Sequence, residues 1–292
     1  DPCIITTVEQ LQSLDEEPEG HYALGSAIDA SGTADWNDGA GFQPIGGFAG
    51  TFDGRDNVIS GLFIDRPDDH DVGLFAITEE GSEIRDVRLA SATVGGNSWV
   101  GSLVGTANGI VANSHVEGRV DGSGLVGGLL GMLRPGGSVT GSSARGEVVG
   151  TGESVGGLVG INSGEIDTSF SRAAVTGRSA IGGLVGKSGG SIKASYSLPV
   201  AREGEIALNS TISATDRLGA LVGLLDVSGT VHESYAVSFA GSTAITDFVG
   251  HRLIGGWSGT RESTVENVSG SYYGGNQRQD DLLGERHQID DM

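Results

Sequence analysis

The chain holds one cysteine, Cys3, and two lysines, Lys187 and Lys193, among 292 residues. A lone thiol forms no intrachain disulfide, so Cys3 is open only to an intermolecular bridge or to no role. Aromatic side chains make up 5% of the sequence, so a core must be built mainly from Val, Leu, Ile and Ala. No apolar run reaches about 18 residues, which excludes a membrane-spanning helix. No leader of charged then apolar residues is visible at Asp1, and the chain is expected to be a processed or trimmed form.

Basic residues are scarce. The 17 of them face 38 acidic ones, for a net charge of −21. Nucleic acid and anionic membrane carry the same sign and are excluded as partners. The Asp-rich, Lys-poor composition resembles that of halophilic proteins. At about 1 M salt the screening length is near 3 Å, so repulsion among surface carboxylates is largely removed. A high-salt source is expected, with an ordinary acidic secreted protein as the alternative.

What the chain has in quantity is glycine, 52 residues without the three-residue spacing of collagen. Many of them frame an apolar hexapeptide that returns five times: VGSLVG at 100, VGGLLG at 126, VGGLVG at 155, IGGLVG at 181 and LGALVG at 218. The steps are 26, 29, 26 and 37 residues. A unit this short cannot bury its own apolar face and must stack on its neighbours. A second signal keeps the same period, an aliphatic residue followed three positions later by serine and usually an aromatic ring. Its copies are VANSH from Val111, VTGSS from Val139, IDTSF from Ile166, IKASY from Ile192, VHESY from Val231 and VSGSY from Val268, with a degenerate IRDVR from Ile84.

The paired motifs resemble the GLUG repeat family, and the match runs through most of the chain. TVEQLQSL, HYALGSAIDASG, GFQPIGG and GTFDG with ISGLFI look like the entry coils that precede such repeats. The resemblance implies a parallel β-helix in a secreted or cell-surface protein of the kind found in adhesins and in the non-catalytic parts of IgA-protease-like proteins.

The expected fold is therefore all-β, a parallel β-helix, right-handed by the usual crossover rule, of about 26–28 residues and three short strands per coil. In the coil from Val155 those strands read GGLVG, EIDTSFS and AAVTG. Eight or nine coils at about 4.8 Å would give a rod roughly 40 Å long. Residues 1–20 read as a cap: Thr7 and Gln10 fit a capping box, and Val8, Leu11 and Leu14 share one helical face. Residues 21–275 form the β-helix and 276–292 a closing segment or linker. Two stretches break the period, Ala201 to Arg217 and Thr246 to Ser263, and insertions of this kind commonly emerge as binding or catalytic loops. Sequons at Asn209 and Asn267 are compatible with surface glycosylation.

Parallel coils turn repeated positions into columns. One is Ser114, Ser142, Ser169, Ser195, Ser234 and Ser271, with Val87 at its start, and stacked serines could hydrogen-bond to one another. Beside it stand Arg88, His115, Ser143, Phe170, Tyr196, Tyr235 and Tyr272. Stacked rings suffice as structure; alternatively Tyr196, Tyr235 and Tyr272, with Trp257 in the second insertion, form a ligand-binding platform for sugar rings. Asp29, Asp35, Asn37 and Asp38 crowd the loop DASGTADWNDG, where oxygen ligands at alternate positions suit calcium. The loop lacks the bidentate Glu and spacing of an EF-hand, and Asp and Asn favour turns for local reasons, so a solvated loop is the default reading. The run Asp65, Asp68, Asp69 and Asp71 reads the same way. No other cofactor is implied.

Catalytic motifs find little support: no HExxH occurs, and the Gly-x-Ser-x-Gly spacing met by GESVG from Gly152 and GKSGG from Gly186 lies inside the glycine-rich repeats, where no helix is expected to follow and make a nucleophile elbow. Glu147, Asp167 and Glu233 are carboxylates that a polysaccharide-cleaving β-helix could use, but their repeat positions differ. The expectation is a non-catalytic, adhesive module, extracellular or at the cell surface, that binds a glycan or protein or associates with itself. A filament, sheath or fibre subunit and a polysaccharide lyase or hydrolase are the alternatives.

Overall fold

The computed structural model describes residues 1–198 and 218–237, with the backbone alone of Ile254–Trp257, Val268–Ser269 and Tyr272–Gly274. The asparagines of both sequons, the first insertion and the closing segment fall outside these residues. Within them the chain winds as a parallel β-helix whose strands stack into a ten-stranded, a seven-stranded and a fourteen-stranded sheet. The ten-stranded stack corresponds to a rod of about 43 Å at the usual strand spacing. Its central residues Phe52, Ile84, Val111, Val139, Ile166, Ile192 and Val231 are in direct register and form one buried column. Each such aliphatic side chain contributes about 1.5–3 kcal/mol of burial.

Three faces are present, but the strand boundaries differ from the sequence expectation. The coil from Val155 runs Ser154–Gly156, Val159–Asn162, Glu165–Asp167 and Phe170–Thr176. The first and last both belong to the fourteen-stranded sheet, the second to the seven-stranded sheet and the third to the ten-stranded sheet. The hexapeptide is therefore a corner: Val155 and Gly156 end one strand and Val159 begins the next. Gly156 is required there because a Cβ would collide with the Val159 carbonyl oxygen, so the backbone folds back on itself more closely than a side chain allows. Val155, Leu158 and Val159 all point inward and are fully buried. EIDTSFS is likewise split, because Thr168 takes a left-handed bend at φ 48°.

Successive coils repeat that second bend, at Asp86, Asn113, Gly141, Thr168, Ala194 and Glu233. The serine that follows is buried at each place where the column holds one, from Ser114 to Ser234. The hydroxyls do not bond to one another, as the sequence suggested; they bond to backbone. The amides of Ser114, Ser142, Ser169 and Ser195 each donate to the hydroxyl of the serine one coil on, at 3.1–3.2 Å and separations of 28, 27, 26 and 39 residues. Each hydroxyl donates in turn to the carbonyl two residues before it, at 2.7–2.9 Å. The bend lifts this amide out of the regular ladder, and a buried N–H without an acceptor is costly, so the next coil supplies one.

The amino-terminal helix Val8–Gln12 has the expected capping box, with Thr7 accepting from the Gln10 amide and the Gln10 side chain accepting from the Thr7 amide. Val8, Leu11 and Leu14 enter the core. Gln12 exchanges two hydrogen bonds of 2.9 Å with the Gln43 backbone, and Asp15 accepts from the Gly46 amide at 2.8 Å. The cap is thus tied to the 42–46 loop beside the aromatic cluster of Tyr22, Phe48, Phe52 and Phe75. The strand Ile254–Trp257, assigned from sequence to the second insertion, pairs with Val222–Leu225 and continues the seven-stranded sheet.

Ser169→Ala is expected to lower stability by about 1–3 kcal/mol, because the buried Ser142 amide loses its acceptor. Denaturant unfolding together with hydrogen exchange at the Ser142 amide reads this; unchanged protection of that amide would remove the ladder from the account. Gly156→Ala is expected to be more damaging than Gly32→Ala, where a Cβ meets nothing and the backbone is not left-handed, and melting of the two variants compares them.

Candidate functional site

Where its side chains are described, the column after the serines lies on the outer side of the sheet, with Ser143 itself buried. Arg88, His115, Ser143, Phe170, Tyr196, Tyr235 and Tyr272 follow one another in register along the fourteen-stranded sheet. Alternation dictates this direction: Val116, Ala144, Ser171 and Ala236, one residue on, are buried. The rings of Phe170 and Tyr196 stack with centroids 4.9 Å apart and planes 1° from parallel, and Tyr196 and Tyr235 repeat this at 4.9 Å and 8°. Their faces are largely turned on one another, so what the column offers outward is mainly ring rims and phenol oxygens, with Tyr235 39% exposed. Burial, then the neighbouring Tyr196, raises the Tyr235 pKa against a smaller opposing pull from Arg172, which keeps the phenol protonated at neutral pH. Trp257 stands in backbone register with Leu225, on a different sheet from the tyrosines.

Beside the rings lies a feature that sequence inspection missed. Arg145 and Arg172 are register neighbours two residues after Ser143 and Phe170. Four arginines are paired, Arg66 with Asp69, Arg85 with Asp53, Glu83 and Asp86, Arg88 with Asp56, and Arg119 with Asp121 and Glu147, whereas Arg55, Arg134 and Arg178 make no ion pair among the described residues. Among the described residues Arg145 and Arg172 have no carboxylate at ion-pair distance. The Arg172 guanidinium sits 5.6 Å from the Phe170 ring centre, and its buried Nε has no hydrogen-bond partner. The signal was the shared spacing of SSAR and SFSR, visible once the register was known.

His115 marks the other end of the strip, with Nδ1 2.9 Å from the Ser143 hydroxyl. Burial lowers its pKa below the ordinary 6.5, and Arg88 and Arg145 lower it further, against smaller opposing effects of Asp56 and Asp86.

The acidic loop is organised locally. Asp29 accepts from the Ser31 amide at 2.9 Å, which lowers its pKa, and Asn37 donates to the Gly41 carbonyl at 2.7 Å. Asn37 and Asp38 take left-handed turns at φ 53° and 56°. No group of three or more His, Cys, Asp or Glu side chains able to hold a metal occurs among the described residues, Asp29, Asp35 and Asp38 included. In the second acidic run, Asp69 pairs with Arg66 and Asp71 accepts from the Thr106 hydroxyl. The candidate catalytic carboxylates are spread out. Glu147 belongs to the fourteen-stranded sheet, Asp167 ends a strand of the ten-stranded sheet and Glu233 occupies a corner bend. An open groove of about 540 Å³, lined by Gln12, Asp15, Glu16, Trp36, Asn37 and Gln43, lies over the cap.

No protein-family model matches the chain, so the motif resemblance rests on its residues alone. Halomucin from Haloquadratum walsbyi is 36% identical over 147 residues, 46% of this chain and 2% of that protein. A provisionally named Gly-rich membrane protein from Evansella cellulosilytica is 33% identical over 125 residues, 40% of this chain and 14% of that protein. The matches thus span a small part of either relative. Among solved structures, a provisionally named immunoglobulin A1 protease from Bacteroides ovatus superposes with a TM-score of 0.59 at 18% identity, covering 93% of this chain and 84% of that one. An IgA1 protease superposes with a TM-score of 0.59 at 17% identity, covering 92% of this chain and 21% of that one. At these identities the likeness is one of fold. No helix among the described residues is long and apolar enough to cross a membrane.

Because the folded state favours neutral His115, stability should fall as pH drops below about 6.5, where the unfolded chain takes up a proton that the folded chain resists. NMR titration is expected to place His115 below an ordinary histidine, and His115→Gln should remove this part of the acid sensitivity. A titration at or above the ordinary value would contradict the burial assigned to the ring.

Proposed function

We propose that the chain is a non-catalytic, rigid module of a secreted or cell-surface protein adapted to high salt, and that its lateral face contacts a glycan or protein partner. One observation carries this reading: an outward aromatic and arginine strip runs across successive coils of a stiff, strongly acidic rod. Such a surface suits many weak, repeated contacts better than enclosure of one substrate. The similarity to Halomucin supports a surface role and a saline setting, and the scattered carboxylates support the absence of catalysis. The polar strip and the glycine corners need a fixed coil spacing, which suits a scaffold.

Two measurements test the reading. Melting in a rising KCl series is expected to show stability increasing with salt as carboxylate repulsion is screened; a fall would end the high-salt assignment. Binding to a glycan array and to extracts of surface protein in molar KCl is expected without product formation. Release of reducing ends or unsaturated sugars from any bound polysaccharide would transfer the chain to the lyase or hydrolase class, and concentration-dependent polymers in sedimentation would favour a self-assembling subunit.

A further inference from the structure

The strip carries information about the sign of its ligand. This chain has more than two acidic residues for each basic one, and most ion pairs on its β-helix are made by an arginine reaching a carboxylate on its own or the adjacent coil. Arg145 and Arg172, like Arg55, Arg134 and Arg178, make no ion pair among the described residues, and their register sets them apart. They are stacked one coil apart, like charge beside like charge. Their nearest acidic register neighbour, Glu117, forms no ion pair with Arg145 among the described residues. Arg172 is held against Phe170 with its buried Nε unsatisfied. Two adjacent guanidiniums without a counter-charge cost stability through repulsion, and an anion arriving at their outer N–H groups would relieve that repulsion.

We infer that Arg145 and Arg172, with the rims of Phe170, Tyr196 and Tyr235, form a binding strip for an acidic polysaccharide, one that bears carboxylate or sulfate groups on its sugar rings. This assignment rests on the glycan-binding form of the surface-module reading. Planar guanidiniums suit either anion through paired N–H donors. The ring rims continue the strip along the rod for two further coils in register, at Tyr196 and Tyr235, and give an apolar, hydroxyl-bearing surface for sugar C–H and O–H groups. The net charge of −21 does not oppose such a ligand where salt is molar. With a screening length near 3 Å the distant carboxylates are not felt, whereas direct guanidinium contacts persist.

Affinity electrophoresis in molar KCl tests this with three immobilised polymers: polygalacturonate, dextran sulfate and neutral dextran. Retardation by either or both acidic polymers and not by dextran is expected, and the pattern tells carboxylate from sulfate recognition. Arg145→Gln/Arg172→Gln should weaken the retained interaction by about tenfold or more, the loss of charge-assisted hydrogen bonds. Arg134→Gln, which removes an exposed charge from another corner, should leave it unchanged. If the double variant fails to fold, Arg145→Gln alone keeps the test, since that side chain is exposed. Equal retardation by dextran, equal loss in Arg134→Gln, or no retardation by any polymer overturns the inference. Dextran binding, or array binding to another partner, would in those cases leave the surface-module reading intact.

Discussion

Each coil must turn a corner inside the protein without abandoning a peptide N–H, and this requirement organises the structure around it. The left-handed residue before each serine rotates one amide away from the strand ladder, and the serine hydroxyl of the next coil receives it. Because that hydroxyl also donates to a carbonyl of its own coil, one side chain joins two levels of the stack. A fixed serine fixes the phase of the residues after it. The next residue is thereby directed outward and the one after it into the core, which is how an aromatic column arises beside a hydroxyl column.

The glycine corners play the complementary part. At the hexapeptide the backbone approaches itself too closely for a Cβ, while the flanking Val and Leu side chains fill the interior. Tight corners and aliphatic columns together leave little latitude in coil size. Variation is therefore confined to outward positions, where this chain places carboxylates, paired arginines and, along one strip, rings with unpaired arginines. The rigid interior serves recognition indirectly, by holding side chains from distant parts of the sequence one strand spacing apart.

The relatives fit this division. The matched segments occupy 2% and 14% of two longer proteins, and the two solved structures share the fold at 18% and 17% identity. A fold shared at such low identity is one that many sequences can supply. The outward strip is specified by particular side chains, so the ligand does not follow from the fold.

The sequence by itself determined the parallel β-helix, its period, the capping box at Thr7 and Gln10, and the membership of the serine and aromatic columns, because all of these repeat or are local in the chain. Only the tertiary structure decided where the strands break, since the collision that makes Gly156 necessary involves a carbonyl across a corner and leaves no local mark. It also decided that the serines bond to backbone amides, that the rings stack on one another, and that Asp29 and Asn37 bond to the backbone of their own loop. The Arg145 and Arg172 pair was present in the letters but became a pair only when the register set two residues, far apart along the chain, on adjacent rungs. Periodicity fixes which residues share a column; distances between side chains depend on how closely the columns approach, and that is settled by packing in three dimensions.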